Sequence, residues 1–218
     1  MSHIEIRIAL VLSLLVAGIS PAQADVAPTA LSIIETQVTK GRAAKTGYTR
    51  AQFGQTWADV DRNGCDTRND ILKRDLTGEI FREKTRECVV LSGTLIDPFS
   101  GETINFVRGN VSSMEVQIDH VVALSNAWQT GAFRLSIKER TAFANDPLNL
   151  LAVKGRLNSQ KGDGDAATWL PPLKSFRCDY VARQIAVKIK YKLWFTAPEK
   201  AAMVGILKSC PEKVLPTS

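Results

Sequence analysis

Asp119 and His120 stand side by side, Asn149 follows His120 by 29 residues, and Asn158 follows Asn149 by nine. These residue types at this spacing could carry acid–base chemistry beside a cation. An imidazole has an unperturbed pKa of about 6.5 and so suits a general base near neutral pH. A carboxylate and an amide carbonyl are oxygen donors that a hard divalent cation accepts, and a small donor set leaves positions open for water and phosphate oxygens. Neighbouring side chains on a strand diverge, so Asp119 could hold a cation while His120 faces another way.

The only other histidine, His3, falls in a segment that reads as an export signal. Arg7 precedes an apolar run from Ile8 to Ile19, and Ala22-Gln23-Ala24 offers the small-x-small pattern of a cleavage site. The competing reading, a membrane anchor, suffers from length, because a spanning helix needs about 20 apolar residues. Cleavage after Ala24 is expected, which leaves His120 as the single imidazole of the mature chain. No other stretch is apolar and long enough to cross a bilayer, so the mature form is expected to have no membrane association. The net charge is +6, and loss of residues 1–24 removes one acid (Glu5) and one base (Arg7), leaving it unchanged. A basic protein outside the cytoplasm points to a polyanionic partner, nucleic acid or an anionic surface. The mature length suits one domain, or one domain with an extension.

Four cysteines, Cys65, Cys88, Cys178 and Cys210, all lie in the mature part. An even count in an exported chain suggests two disulfides, and four cysteines allow three pairings. Cys65–Cys88 with Cys178–Cys210 is favoured because each closes a short local loop. A four-thiolate zinc site competes, but no pair has the C-x2-C to C-x4-C spacing that clasps zinc.

The elements that must position these residues follow an α+β order. Apolar spacing predicts a helix over 26–44 with Leu31, Ile34 and Val38 on one face, then a basic connector. Phe53 and Trp57 anchor a second short element. A helix is expected over 66–76 with an Asp or Thr cap and Ile71 and Leu72 inward. Residues 88–96 and 102–107 read as a hairpin about the turn Asp97-Pro98-Phe99-Ser100-Gly101. Residues 114–122 read as a strand with Asp119 and His120 near its end, 125–130 and 136–145 as helices, and 149–153 as a strand. The end is helical over 177–194 and 198–209. Asp59-Val60-Asp61-Arg62-Asn63-Gly64 matches the start of an EF-hand loop with Asp70 at its twelfth position, where Glu is expected, so a structured turn is preferred to a Ca2+ site. Trp128 and Trp169 read as core rather than as base-stacking platforms, and Lys188, Lys190 and Lys192 as a solvated face.

The blocks IDHVVALSNAWQTGA, AFANDPLNLLAV and NSQKGDGDAATWLPP, in that order, resemble the exported branch of the HNH endonuclease superfamily, related to the C-terminal domain of GmrSD-type restriction endonucleases. The resemblance extends through RNGCDTRNDILKRDL, CVVLSGTLIDPFSG and FRCDYVARQIAVKIKYKL, covering roughly residues 48–210. It implies a ββα-metal (HNH) finger embedded in a mainly helical single domain with a β-hairpin. It also implies the layout signal peptide 1–24, N-terminal helix and connector 25–47, and endonuclease domain 48–213. Carried onto this chain, it makes His120 the general base, Asp119 the first metal ligand and Asn149 the residue that steadies the loop bearing the base. Asn158 takes the last metal position, where many members have His. Oxygen-only donors favour one Mg2+ or Mn2+ ion over Zn2+. Lys161 and Arg156 are the expected contacts to the substrate backbone.

The resulting expectation is a secreted or periplasmic endonuclease that hydrolyses nucleic acid, DNA ahead of RNA, with little sequence preference and leaves 5′-phosphate and 3′-hydroxyl ends. Two alternatives come from other classes: a catalytically silent nucleic-acid or surface-binding module, and an antibacterial nuclease toxin with an immunity protein as partner. Nothing in the sequence bears on oligomeric state.

Overall fold

The computed structural model describes residues 27–110 and 112–217. The expected export signal and its cleavage site lie outside the described residues, and no helix among those described is long and apolar enough to cross a membrane.

The first helix, α1 (Ala30–Glu35), is capped by the Thr29 side chain, which accepts from the Ser32 amide. It is far shorter than its apolar spacing predicts. The chain leaves the helix after Thr36 because Thr39 bridges to Phe195 and Lys40 donates to the Phe195 carbonyl at 2.9 Å. Ile34 is fully buried as expected, whereas Val38 is 77% exposed. A long-range strand contact has overridden the local helical period.

Helix α2 (Thr67–Asp75) starts where its cap predicts: Asp66 accepts from the Asn69 amide, and Ile71 and Leu72 are buried. The strand that follows at once, β1 (Leu76–Phe81), has no clear signal in the sequence. Gly78 sits at φ +63° and the pairing register shifts along the strand, so the side chains do not alternate cleanly. Strands β2 (Val90–Ile96) and β3 (Thr103–Val107) form the expected hairpin, and the three strands make an antiparallel sheet in the order β1-β2-β3. The hairpin turn is held by Asp97, whose carboxylate accepts from the Ser100 amide and hydroxyl. Its other oxygen accepts from the Lys154 amide at 2.9 Å, tying this sheet to the second one.

That second sheet pairs β4 (Val116–His120) with β5 (Leu150–Lys154) antiparallel, Asp119 opposite Leu151 and His120 opposite Leu150. Between them the chain inserts α3 (Leu124–Gln129) and α4 (Ile137–Ala144), the latter opened by a Ser136/Glu139 capping box. Helix α5 (Gly155–Lys161) leaves β5 directly and packs on both strands. Only glycine fits at its start, since a Cβ on Gly155 would lie 2.0 Å from the Met114 carbonyl oxygen. The strand period divides the core. Val116, Ile118, Leu150 and Ala152 pack towards the three-stranded sheet and α2, while Leu151 and Val153 pack with Leu157 of α5 and with Tyr180.

The chain ends in α6 (Arg177–Lys190) and α7 (Ala197–Leu207). The basic end of α6 is a solvated face at Lys190 and Lys192, which are exposed, but not at Lys188. Lys188 is buried and pairs with Glu199 at 2.5 Å, while Lys190 pairs with Asp146 at 2.6 Å. Helix and strand are thus mixed, in an α+β arrangement.

Disulfides join Cys65 to Cys88 and Cys178 to Cys210, across 23 and 32 residues. The first ties the loop before α2 to the start of β2, and the second ties α6 to the end of α7. Each should contribute about 2–4 kcal/mol by restricting the unfolded chain. Reductant is therefore expected to lower the thermal midpoint markedly, and mass spectrometry of the oxidised protein should find no free thiol.

Candidate active site around His120

His120 closes β4, on the face that looks towards the three-stranded sheet. Its Nε2 lies 2.9 Å from the Ala144 carbonyl oxygen at the end of α4. A carbonyl can only accept, so Nε2 carries the hydrogen and Nδ1 keeps its lone pair. The indole of Trp57 stacks on the imidazole, ring centroids 5.9 Å apart and planes 11° from parallel. Trp57 adopts φ +56°, a left-handed conformation that a bulky residue takes only when its surroundings impose it. Burial pushes the His120 pKa down from 6.5 to about 4; the Ala144 hydrogen bond opposes this, and the charges of Arg50 and Lys161 add to it. The ring is neutral at neutral pH, with the Nδ1 lone pair unprotonated. Beside it lies a cavity of about 20 Å3 walled by Arg50, Phe53, Trp57, Leu124 and Asn145 among others. That volume suits a single water.

Asn149 ends the turn that leads into β5 and is fully buried. Its side-chain oxygen accepts from the Val122 amide at 2.8 Å, and its backbone carbonyl accepts from the Val121 amide at 2.8 Å. It therefore staples the two residues that follow His120 to the start of β5.

Asp119 points the opposite way, towards α5. Its Oδ1 accepts from the Lys161 ammonium at 2.8 Å, and the same ammonium donates to the His120 carbonyl at 2.7 Å. Both side chains are almost wholly enclosed, 3% and 1% exposed. The second carboxylate oxygen, Oδ2, is buried and has no hydrogen-bond partner. Asn158, half-buried on α5, donates through Nδ2 to the Gln117 side chain at 2.9 Å. Gln117 and Asp119 share a face of β4, so Asn158 reaches the strand on the Asp119 side. Arg156 is exposed on the same helix.

The unpartnered Asp119 oxygen is a donor of the kind a hard cation accepts, but the same carboxylate is already paired with the Lys161 ammonium, and Asn158 reaches Gln117 rather than Asp119. Among the described residues no group of three or more His, Cys, Asp or Glu side chains gathers, so the donor set available here is these oxygens and water. The EF-hand-like segment is a turn bonded to itself. Asp59 and Asp61 accept from the Asn63 amide, Asp59 also from Gly64, and the Asn63 side chain donates to Asp61 and Asp70.

The structure brings together Asp119, His120, Lys161, Asn149 and Asn158 around the end of β4 and adds three contributors. Arg50 and Trp57 reach His120 from 70 and 63 residues upstream, and Ala144 contributes only a carbonyl. None has a local sequence signal: a lone Arg, a lone Trp and a backbone atom carry no spacing to read.

A depressed histidine pKa favours the unfolded state in acid, because the unfolded chain binds a proton that the folded chain refuses. Stability tied to His120 is thus complete above pH 6.5 and falls as pH drops towards about 4, by up to about 3 kcal/mol. Denaturant titrations are expected to show this acid loss in the wild type and not in His120→Asn, and NMR should place the imidazole midpoint near 4.

The model of the family "GmrSD restriction endonucleases, C-terminal domain" matches residues 66–206. A protein of Arthroderma benhamiae described as an uncharacterized secreted protein is 35% identical over 193 residues, covering 88% of this chain and 89% of that one. No solved structure matches. With the family match spanning most of the chain, from the first disulfide loop to the last helix, this protein belongs to the family of the GmrSD restriction endonuclease C-terminal domain.

Proposed function

We propose that this protein is an exported, metal-dependent endonuclease of the HNH type that hydrolyses phosphodiester bonds with little sequence preference. The observation that supports it best is the state of His120: a neutral imidazole whose Nε2 is committed to the Ala144 carbonyl, leaving Nδ1 as a base beside a water-sized cavity. The endonuclease family, the β4–β5–α5 order that brings Asn158 back to the Asp119 face of β4 at Gln117, and the unpartnered Asp119 oxygen support this reading. Two disulfides and a relative described as secreted agree with export.

In the reaction, His120 Nδ1 takes a proton from water and the oxygen attacks phosphorus as the ester oxygen on the far side departs. The departing oxygen takes a proton from solvent water to become the 3′-hydroxyl, the phosphate stays on the 5′ end, and His120 returns its proton to solvent. Asp119 and Asn158 would hold one Mg2+ or Mn2+ ion, which supplies charge stabilisation at the phosphate and the leaving oxygen. Lys161 neutralises Asp119 and fixes the strand end through the His120 carbonyl, so its ammonium serves the site from within. Arg156, exposed on α5, is the contact to more distant backbone phosphates. Because His120 and Asp119 lie on opposite faces of β4, a substrate phosphate meets both only at the end of the strand. Contacts to backbone rather than to base edges account for low sequence preference, with DNA the expected substrate ahead of RNA.

Plasmid DNA and RNA, incubated with Mg2+, Mn2+ or EDTA, test the reading. Wild type is expected to nick and degrade with metal and to be silent in EDTA. His120→Ala should lose about a hundredfold or more of the rate. Equal degradation by both proteins, or none with any metal, rejects an enzymatic role for His120. Asp119→Asn is expected to abolish metal binding by calorimetry and to cost about 3 kcal/mol of stability, since it strands the buried Lys161 ammonium.

A further inference from the structure

The cavity beside His120 is walled by a segment upstream of the family match: the turn Arg50–Phe53 and the loop through Trp57. This platform is held firmly from behind. Phe53 is buried with its ring 5.8 Å from that of Phe143 and 6.4 Å from that of Trp128. Arg140 Nε donates to the Gln52 carbonyl at 2.6 Å. Gly54, at φ +78°, packs so closely that a Cβ would lie 2.1 Å from the Thr141 hydroxyl.

Arg50 is exposed on that rigid platform, and among the described residues its guanidinium makes no hydrogen bond or ion pair. The rest of the cavity wall is apolar or neutral, with Gln55, Thr56 and Asn145 as polar members and no Asp or Glu. The other cation near His120, the Lys161 ammonium, is occupied by Asp119 and by the His120 carbonyl. An uncommitted guanidinium, neutral dipolar neighbours and no carboxylate make surroundings for an anion, and a planar guanidinium can give a phosphate two parallel hydrogen bonds. A rigid mount lowers the ordering cost of that contact.

We propose that Arg50 grips the phosphodiester presented to His120, by charge-assisted hydrogen bonds to its non-bridging oxygens. The proposal rests on the nuclease reading and deepens it. It puts the substrate phosphate on the Trp57 side of the strand end, within reach of Nδ1, and it makes the site depend on a segment outside the family-matched region.

The test measures binding of a labelled DNA duplex, and of its RNA counterpart, to the non-cutting His120→Ala protein by fluorescence anisotropy. Salt is varied from about 50 to about 200 mM. Adding Arg50→Ala is expected to weaken binding about tenfold. It should also flatten the slope of log affinity against log salt by about 0.9, the value of one lost phosphate contact. Arg50→Lys, which keeps the charge and loses the fork, should keep the slope and recover part of the affinity. Lys208→Ala, an exposed lysine just past the end of α7 and outside the cavity wall, should change neither. Unchanged affinity and slope in Arg50→Ala, or an equal loss in Lys208→Ala, overturns the role of Arg50 and leaves the nuclease reading standing. A parent protein that binds neither nucleic acid at any salt overturns both.

Discussion

Lys161 reaches back from the end of α5 to place its ammonium between the Asp119 carboxylate and the His120 carbonyl, at 2.8 and 2.7 Å, in a space closed to solvent. Taking these two charges out of water costs several kcal/mol each, and their attraction roughly restores what desolvation removes. The pair is a poor source of net stability. It is a strong geometric constraint, because neither partner can move without stranding the other. It fixes the last residue of β4 against the last turn of α5, and every other feature of the site is built outward from that junction.

On one side of the junction the strand shows Asp119 and Gln117 to α5, which brings Asn158 into reach and leaves one carboxylate oxygen unpartnered. On the other side it shows His120 to Trp57 and the Ala144 carbonyl. The helices inserted between β4 and β5 serve both. They supply that carbonyl, and they return the chain at Asn149, whose bonds to Val121 and Val122 prevent the residues after His120 from peeling away. The burial that orients the ring also keeps it unprotonated, so orientation and neutrality have one cause.

The structure places Asp119, His120, Asn149 and Lys161 about one strand end, and it alters what some of the expected residues can do. Lys161, expected to reach the substrate backbone, is enclosed behind Asp119. Arg50, which no motif marks, stands exposed on the cavity wall. Composition cannot separate these two cations, since a buried lysine and an exposed arginine look alike in a basic sequence. The same holds for Lys188, whose place at the basic end of a helix gives no hint of its buried partner Glu199.

Local physics determined much of this protein directly from its residues. The α2 cap at Asp66, the hairpin about Asp97, the β4 strand and the period of α6 all depend on contacts within a few residues, and the structure shows each of them. The cysteine pairs followed from short loops. Where a distant partner competes, local reading fails: α1 stops early because Thr39 bridges to Phe195, and β1 exists because β2 pairs with it. The Asp-His pair and the two asparagines were visible as types and spacing. Which His120 nitrogen is free, why it stays neutral, and which cation faces it were decided only by the fold. Those properties depend on Ala144, Trp57 and Arg50, brought to one strand end by packing across 24 to 70 residues, and such contacts leave no periodicity in the sequence.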